Sequence, residues 1–184
     1  MLGSFLARRG LPTGAEAEYK AALRLNPQYA PAAINLADLY RGLGREADGE
    51  NALRAAVATT PQHAGLHHAL GLVLVRLKRL DEALSELHRA FELDLTQARY
   101  AYVYAVGLHS AGRVDDAMQA LKESFARHPD DRDTLMALIT FNRDAGDINT
   151  ALQYAEQLVR MMPGDPQVGR LVDDLKRRGN PNPQ

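Results

Sequence analysis

Six histidines, His63, His67, His68, His88, His109 and His128, are the first residues in this chain to weigh for chemistry. His63 and His67 stand at i, i+4, a spacing at which one helix face can offer two imidazoles to a metal. That reading goes no further, because His63 falls where a turn is expected and no carboxylate follows at a ligand spacing. "HSAGR" sets His109 beside Ser110, but neighbouring helical residues do not face each other, and a hydroxyl nucleophile needs its base within hydrogen-bond reach. The acidic pairs at 81–82, 115–116 and 130–131 are expected at helix starts, where negative charge is favoured by the helix dipole. Cysteine is absent, which removes disulfides, thiolate metal sites, cysteine nucleophiles and the C-x-x-C-H attachment of a covalent haem together. No phosphate loop, zinc-protease helix or dinucleotide fingerprint occurs. The expectation is a chain with no catalytic residues, no metal and no cofactor.

The elements that position these groups are marked by a 34-residue period: Pro27, Pro61, Pro129 and Pro163 share one register. With proline as the thirty-second place, complete units span 30–63, 64–97, 98–131 and 132–165, after a partial unit at 1–29. The fifteenth place holds Gly10, Gly44, Lys78, Gly112 and Gly146. The twentieth holds Ala15, Gly49, Ala83, Ala117 and Ala151. The glycine column fits a helix stop that needs the left-handed conformation. The small residues at the twentieth place let two helix backbones approach, and proline cannot continue a helical ladder. Between these marks the apolar spacing is helical, as in Ala33, Leu36, Ala37 and Tyr40 at i, i+3, i+4, i+7. Each unit therefore reads as helix, turn, helix, turn, and eleven helices are expected in all. Lys78 in the glycine column, Leu95 in the proline column and Gly49 in the alanine column make the second and third units the expected places of irregularity.

This pattern resembles the tetratricopeptide repeat family over nearly the whole chain; "LHHALGLVLVRLKRLDEALSELHRAFELD" from Leu66 is its most typical unit. The resemblance implies an all-α, right-handed solenoid of antiparallel helix pairs whose concave groove binds a partner protein or peptide. It also implies that the groove is lined from the first helix of each unit. On this chain the groove residues are Ile34, Asp38 and Arg41 in one unit and His68, Leu72, Val75 and Arg76 in the next. The following units supply Arg99, Tyr102, Val106 and His109, then Met136, Thr140 and Arg143. Ser4, Ala7 and Arg8 hold the equivalent places in the partial unit. An apolar centre with arginine around it suits a partner's apolar anchors and its carboxylates or carbonyls. The alternative for the arginines is pairing with acidic residues of adjacent helices. Asn35 matches one place of the family's chaperone-tail clamp, but Gly65 and Ala69 stand where that clamp needs cations, so the clamp is not expected.

The chain of 184 residues is 46% hydrophobic and 24% charged, with net charge −1, so no global field favours nucleic acid or a membrane surface. "ALGLVLV" from Ala69 is too short to span a bilayer, and "MLGSFLARRG" lacks the features of a signal peptide. Residues 1–9 read as the latter part of a first helix, followed by a helix over 14–25. The alternative function is a structural module: the repeats self-associate through that truncated end or the groove, or the groove is filled by the chain's own polypeptide or a parent domain. A capping helix is expected from Pro166 to Arg178, with a disordered tail to residue 184. "APAAINLADLYRGLGR" and "ARYAYVYAVGLHSAGRVDDAM" resemble the C-terminal repeat region of large bacterial multihaem cytochrome c proteins. That resemblance implies an interaction arm working outside the cytoplasm; without it the default compartment is the cytoplasm.

Overall fold

In the computed structural model residues 2–179 are described; of the tail expected from Gly179 to Gln184, Gly179 belongs to the last helix and residues 180–184 lie outside the described ones. Among the described residues the chain forms eleven helices and no strand. They are α1 (Leu2–Arg8), α2 (Pro12–Leu25), α3 (Ala30–Gly42), α4 (Glu46–Thr59), α5 (Ala64–Arg76), α6 (Leu80–Leu93), α7 (Ala98–Ser110), α8 (Val114–Arg127), α9 (Arg132–Asp144), α10 (Ile148–Met161) and α11 (Pro166–Gly179). The fold is an all-α solenoid of helix pairs. Two compact units divide at Asp94 and Leu95. In the first, α1 to α6 each pack on their neighbour in sequence, and α3 also meets α5. In the second, α7 to α11 do the same, and α7 meets α9.

Local chemistry accounts for the boundaries. Gly10, Gly44, Gly112 and Gly146 all take positive φ, between 69° and 84°, in the turn after a first helix. The next amide then reaches back to close the helix, as Arg45 N does to Tyr40 O at 2.8 Å. Lys78 adopts the same conformation at φ 60°, and Arg79 N donates to Leu74 O at 2.9 Å. The expected irregularity of the second and third units is therefore absent: α3 and α5 have 13 residues, and α4 and α6 have 14, like α7 to α10. The backbone hydrogen bonds that close the turn accompany a lysine in a conformation its own preference opposes. Helix α2 begins two residues earlier than expected, because proline is well tolerated in a first turn, where its missing N–H costs no hydrogen bond.

The carbonyls in the proline column are tied down by later side chains. Thr59 Oγ1 donates to Pro27 O at 3.2 Å, and Gln157 Nε2 donates to Pro129 O at 2.9 Å. His67 Nε2 lies 3.0 Å from Pro61 O, and His128 Nε2 lies 2.9 Å from Leu95 O. These contacts give two of the six histidines a structural place. The cores of the pairs are apolar and closely fitted. Ala83, Ala117 and Ala151 are fully buried. A Cβ built on Gly71 would meet Leu87 at 2.7 Å, so the eighth place of that unit has no room even for a methyl group.

Candidate functional site

Helices α3 and α5 carry the residues that the family resemblance assigns to the groove in the first unit. Ile34 and Leu72 are half-buried, and Val75 is 42% exposed. His68 is buried, which places it beneath that surface rather than on it. Asp38 and Arg41 pair with each other at 3.4 Å, both exposed. Arg76 Nε donates to Glu46 Oε1 at 2.7 Å, so this arginine ties α5 to α4. Next to α3, a cleft of about 620 Å³ is lined from α1, α2 and α3. It brings Ser4, Ala7 and Arg8 together with Asp38, and Tyr19 Oη donates to Ser4 Oγ at 3.2 Å in its wall. Asn35, Leu39 and Leu43 also line it. The register had assigned neither leucine to the groove; Leu43, exposed at the end of α3, is an apolar residue in a turn, which is a signal the sequence did contain.

In the second unit α7 presents Arg99, Tyr102, Val106 and His109 at successive turns of one side. Arg99 is exposed, and among the described residues it meets no carboxylate. Tyr102 is half-buried, and Val106 one turn on is 38% exposed. The His109 ring stacks on Phe141 of α9 at 4.0 Å and 16°, which fixes α7 against α9. On α9, Met136 packs at the edge of a core formed by Leu135, Ile139 and Ala155, Thr140 is half-buried, and Arg143 pairs with Asp144 at 2.9 Å. The structure thus divides the arginines. Arg76 is engaged between helices, Arg41 and Arg143 pair with residues of their own helices, and Arg99 is available.

Several of the groups weighed first for chemistry hold helices in place. His63 Nδ1 accepts from Leu66 N at 3.3 Å and caps α5. His67 Nδ1 lies 2.6 Å from Glu86 Oε2, bridging α5 to α6. Asp131 caps α9 through Thr134 N at 2.8 Å, and Asp81, Glu82, Asp115 and Asp116 lie in first turns. Charge in the first unit is organised between helix pairs. Glu16 accepts from Lys20 at 2.7 Å, Tyr40 at 2.9 Å and Arg45 at 3.0 Å. Those bonds, Lys20 first and Tyr40 next, draw its carboxyl from an ordinary 4.5 down to about 2. One repeat on, Glu50 accepts from Arg79 at 2.7 Å and from Arg54 at 2.7 Å, and its carboxyl is lowered too, chiefly by Arg54. Among the described residues no helix is long and apolar enough to cross a membrane.

The fold and its repeated turns define a helical-repeat protein. The tetratricopeptide repeat model matches residues 6–70 and 108–175, a second such model matches 68–132, and the chain belongs to the tetratricopeptide repeat family. No curated protein matches it. Solved structures similar to it include MamA, with 20% identity and TM-score 0.74, covering 88% of this chain and 94% of that one. YrrB, described as a repeat protein with an unusual peptide-binding site, has 20% identity and TM-score 0.70, covering 95% of this chain and 88% of that one. PilF of Pseudomonas aeruginosa has 16% identity and TM-score 0.75, covering 99% of this chain and 90% of that one. Likeness at these identities is likeness of fold.

Proposed function

We propose that the protein is a non-catalytic scaffold that holds a segment of a partner protein on the exposed sides of its first helices. The observation that carries this reading is the surface of α7. An available cation, Arg99, a half-buried aromatic, Tyr102, and an exposed aliphatic, Val106, lie in line there. A half-buried tyrosine offers large contact area with a polar tip, the property of an anchor residue. Arg99, which meets no carboxylate among the described residues, offers a planar donor to a partner's carboxylate or backbone carbonyl. Within the first unit, taken by itself, Leu72, Val75 and the cleft beside α3 offer a further apolar surface. The peptide-binding site reported for YrrB supports this reading, since the fold is shared. Net charge of −1 supplies no field that would favour nucleic acid over protein as partner. The placement of such a scaffold as the arm of a multihaem cytochrome rests on sequence resemblance alone.

The test is affinity capture from extracts of the native host with the wild-type chain and Tyr102→Ala side by side, both shown to be equally helical. The reading expects partners held by the wild type and depleted with the variant. Equal recovery of the same partners would remove the α7 surface as the binding site.

A further inference from the structure

We propose that the turn between α4 and α5 is held to α6 by one titratable proton, shared by His67 and Glu86, and that its loss to solvent frees the turn. This pH-sensitive joint lies within the first unit and does not depend on the α7 surface. His67 is 7% exposed, and both of its ring nitrogens face acceptors. Nδ1 lies 2.6 Å from Glu86 Oε2 on α6, and Nε2 lies 3.0 Å from Pro61 O in the turn. A carbonyl oxygen only accepts, so Nε2 carries a hydrogen. An ionised carboxylate only accepts too, so either Nδ1 carries a second hydrogen or the carboxyl itself is protonated. Both forms hold one proton more than a neutral imidazole beside a carboxylate. When that proton leaves, one N–H remains for two acceptors, and one acceptor faces a bare nitrogen lone pair in a buried place.

The joint is particular to this repeat. The equivalents of His67 are Ala33, Ala101 and Leu135, all buried and without a polar side chain. Pro27 O and Pro129 O are held by Thr59 and Gln157, whose donors keep their hydrogens near neutral pH. His128 Nε2 also meets a carbonyl, Leu95 O, but a neutral ring satisfies that contact. The charged surroundings of His67 leave Glu86 as the carboxylate that meets the ring. On α6, Ser85, His88, Arg89 and Glu92 line a cleft of about 230 Å³ with His67 and Glu86, which gives the proton a way to solvent. Arg89 donates to Gln62 at 3.0 Å and pairs with Glu92 at 3.4 Å, and His88 lies 4.0 Å from Glu92. In the turn His63 caps α5, and His68, next on α5, is buried. On α4 and α3 the charged groups pair elsewhere: Glu46 with Arg76, Asp48 with Arg45, Glu50 with Arg79, Arg54 with Glu82, and Asp38 with Arg41.

The test is nuclear magnetic resonance of the whole chain, isotopically labelled, as wild type and Glu86→Gln across a pH series. Imidazole and carboxyl resonances read where the proton sits. Hydrogen exchange of the His63 amide, which donates to Thr60 O at 3.2 Å, reads the turn. In the wild type the His67 and Glu86 pair should hold the extra proton while the turn is protected. As the pair loses it, protection of that amide, corrected for intrinsic exchange, should fall by about tenfold. In Glu86→Gln the introduced amide can donate to Nδ1, so a neutral ring with its hydrogen on Nε2 satisfies both contacts. Protection in that variant should stay constant over the same range. Circular dichroism checks that the variant is folded, and should it unfold, the wild-type series decides alone. A protected turn with no extra proton on either residue would overturn the proposal. So would wild-type protection that ignores the loss of the proton, an equal loss of protection in both chains, or a proton retained until the chain unfolds.

Discussion

At Gly49 the backbone is helical and buried, and a Cβ built there would touch Ala37 no closer than 3.5 Å. Gly49→Ala should therefore stabilise the chain by up to about 1 kcal/mol, since the methyl group fits and glycine's unfolded-state freedom is reduced. Lys78 poses the reverse case, a side chain held at φ 60° where four of its equivalents are glycine. Lys78→Gly should stabilise by about 1 kcal/mol as the left-handed strain is relieved. Chemical denaturation reads both, and a fall in stability at either position would mean that the local backbone differs from the structure. Glu16 makes a pH-dependent prediction. Its carboxyl, lowered from 4.5 to about 2 in the folded chain, stabilises the fold above the unfolded value and loses that contribution as pH falls through the folded one. The stability gap between wild type and Glu16→Gln should be largest above about pH 5 and close towards pH 2. Its size will be modest, because Lys20 and Arg45 are solvent-exposed. A gap that stays constant with pH would show that the network does not hold the carboxylate.

At the scale of the helix, the alanine column sets how closely each pair can pack. Ala83 and Ala117 are fully buried at that contact, one in each compact unit. Ala83→Leu and Ala117→Leu should each cost about 1–3 kcal/mol by overpacking; an unchanged denaturation midpoint would refute the register. The helices were legible in the sequence because proline and glycine act on their own backbone, and a 34-residue period in them survives wherever the chain later packs. The fate of individual polar groups was not legible. Arg76 meets Glu46 thirty residues back, and His67 bridges Glu86 to Pro61. Both depend on which helices become neighbours and at what rotation. The same holds for His68, which register placed on the groove and packing buried. Leu39 and Leu43 join the cleft beside α3 for a converse reason, because α1 and α2 shape a hollow around them.

For the whole molecule, the proposed scaffold would draw affinity from apolar and aromatic side chains of its binding surface, with charge governing approach. Arg99→Ala should slow association and reduce its salt dependence, with little change in dissociation. Lys122→Ala, on the exposed side of α8, should leave both unchanged. The measurement that bears most directly on the partner-binding account is the dissociation constant of a captured partner, titrated against wild type and Tyr102→Ala at equal helicity. A loss of roughly 2 kcal/mol on removing the tyrosine, about thirtyfold in affinity, is the predicted result. An unchanged constant in a fully folded variant would contradict it.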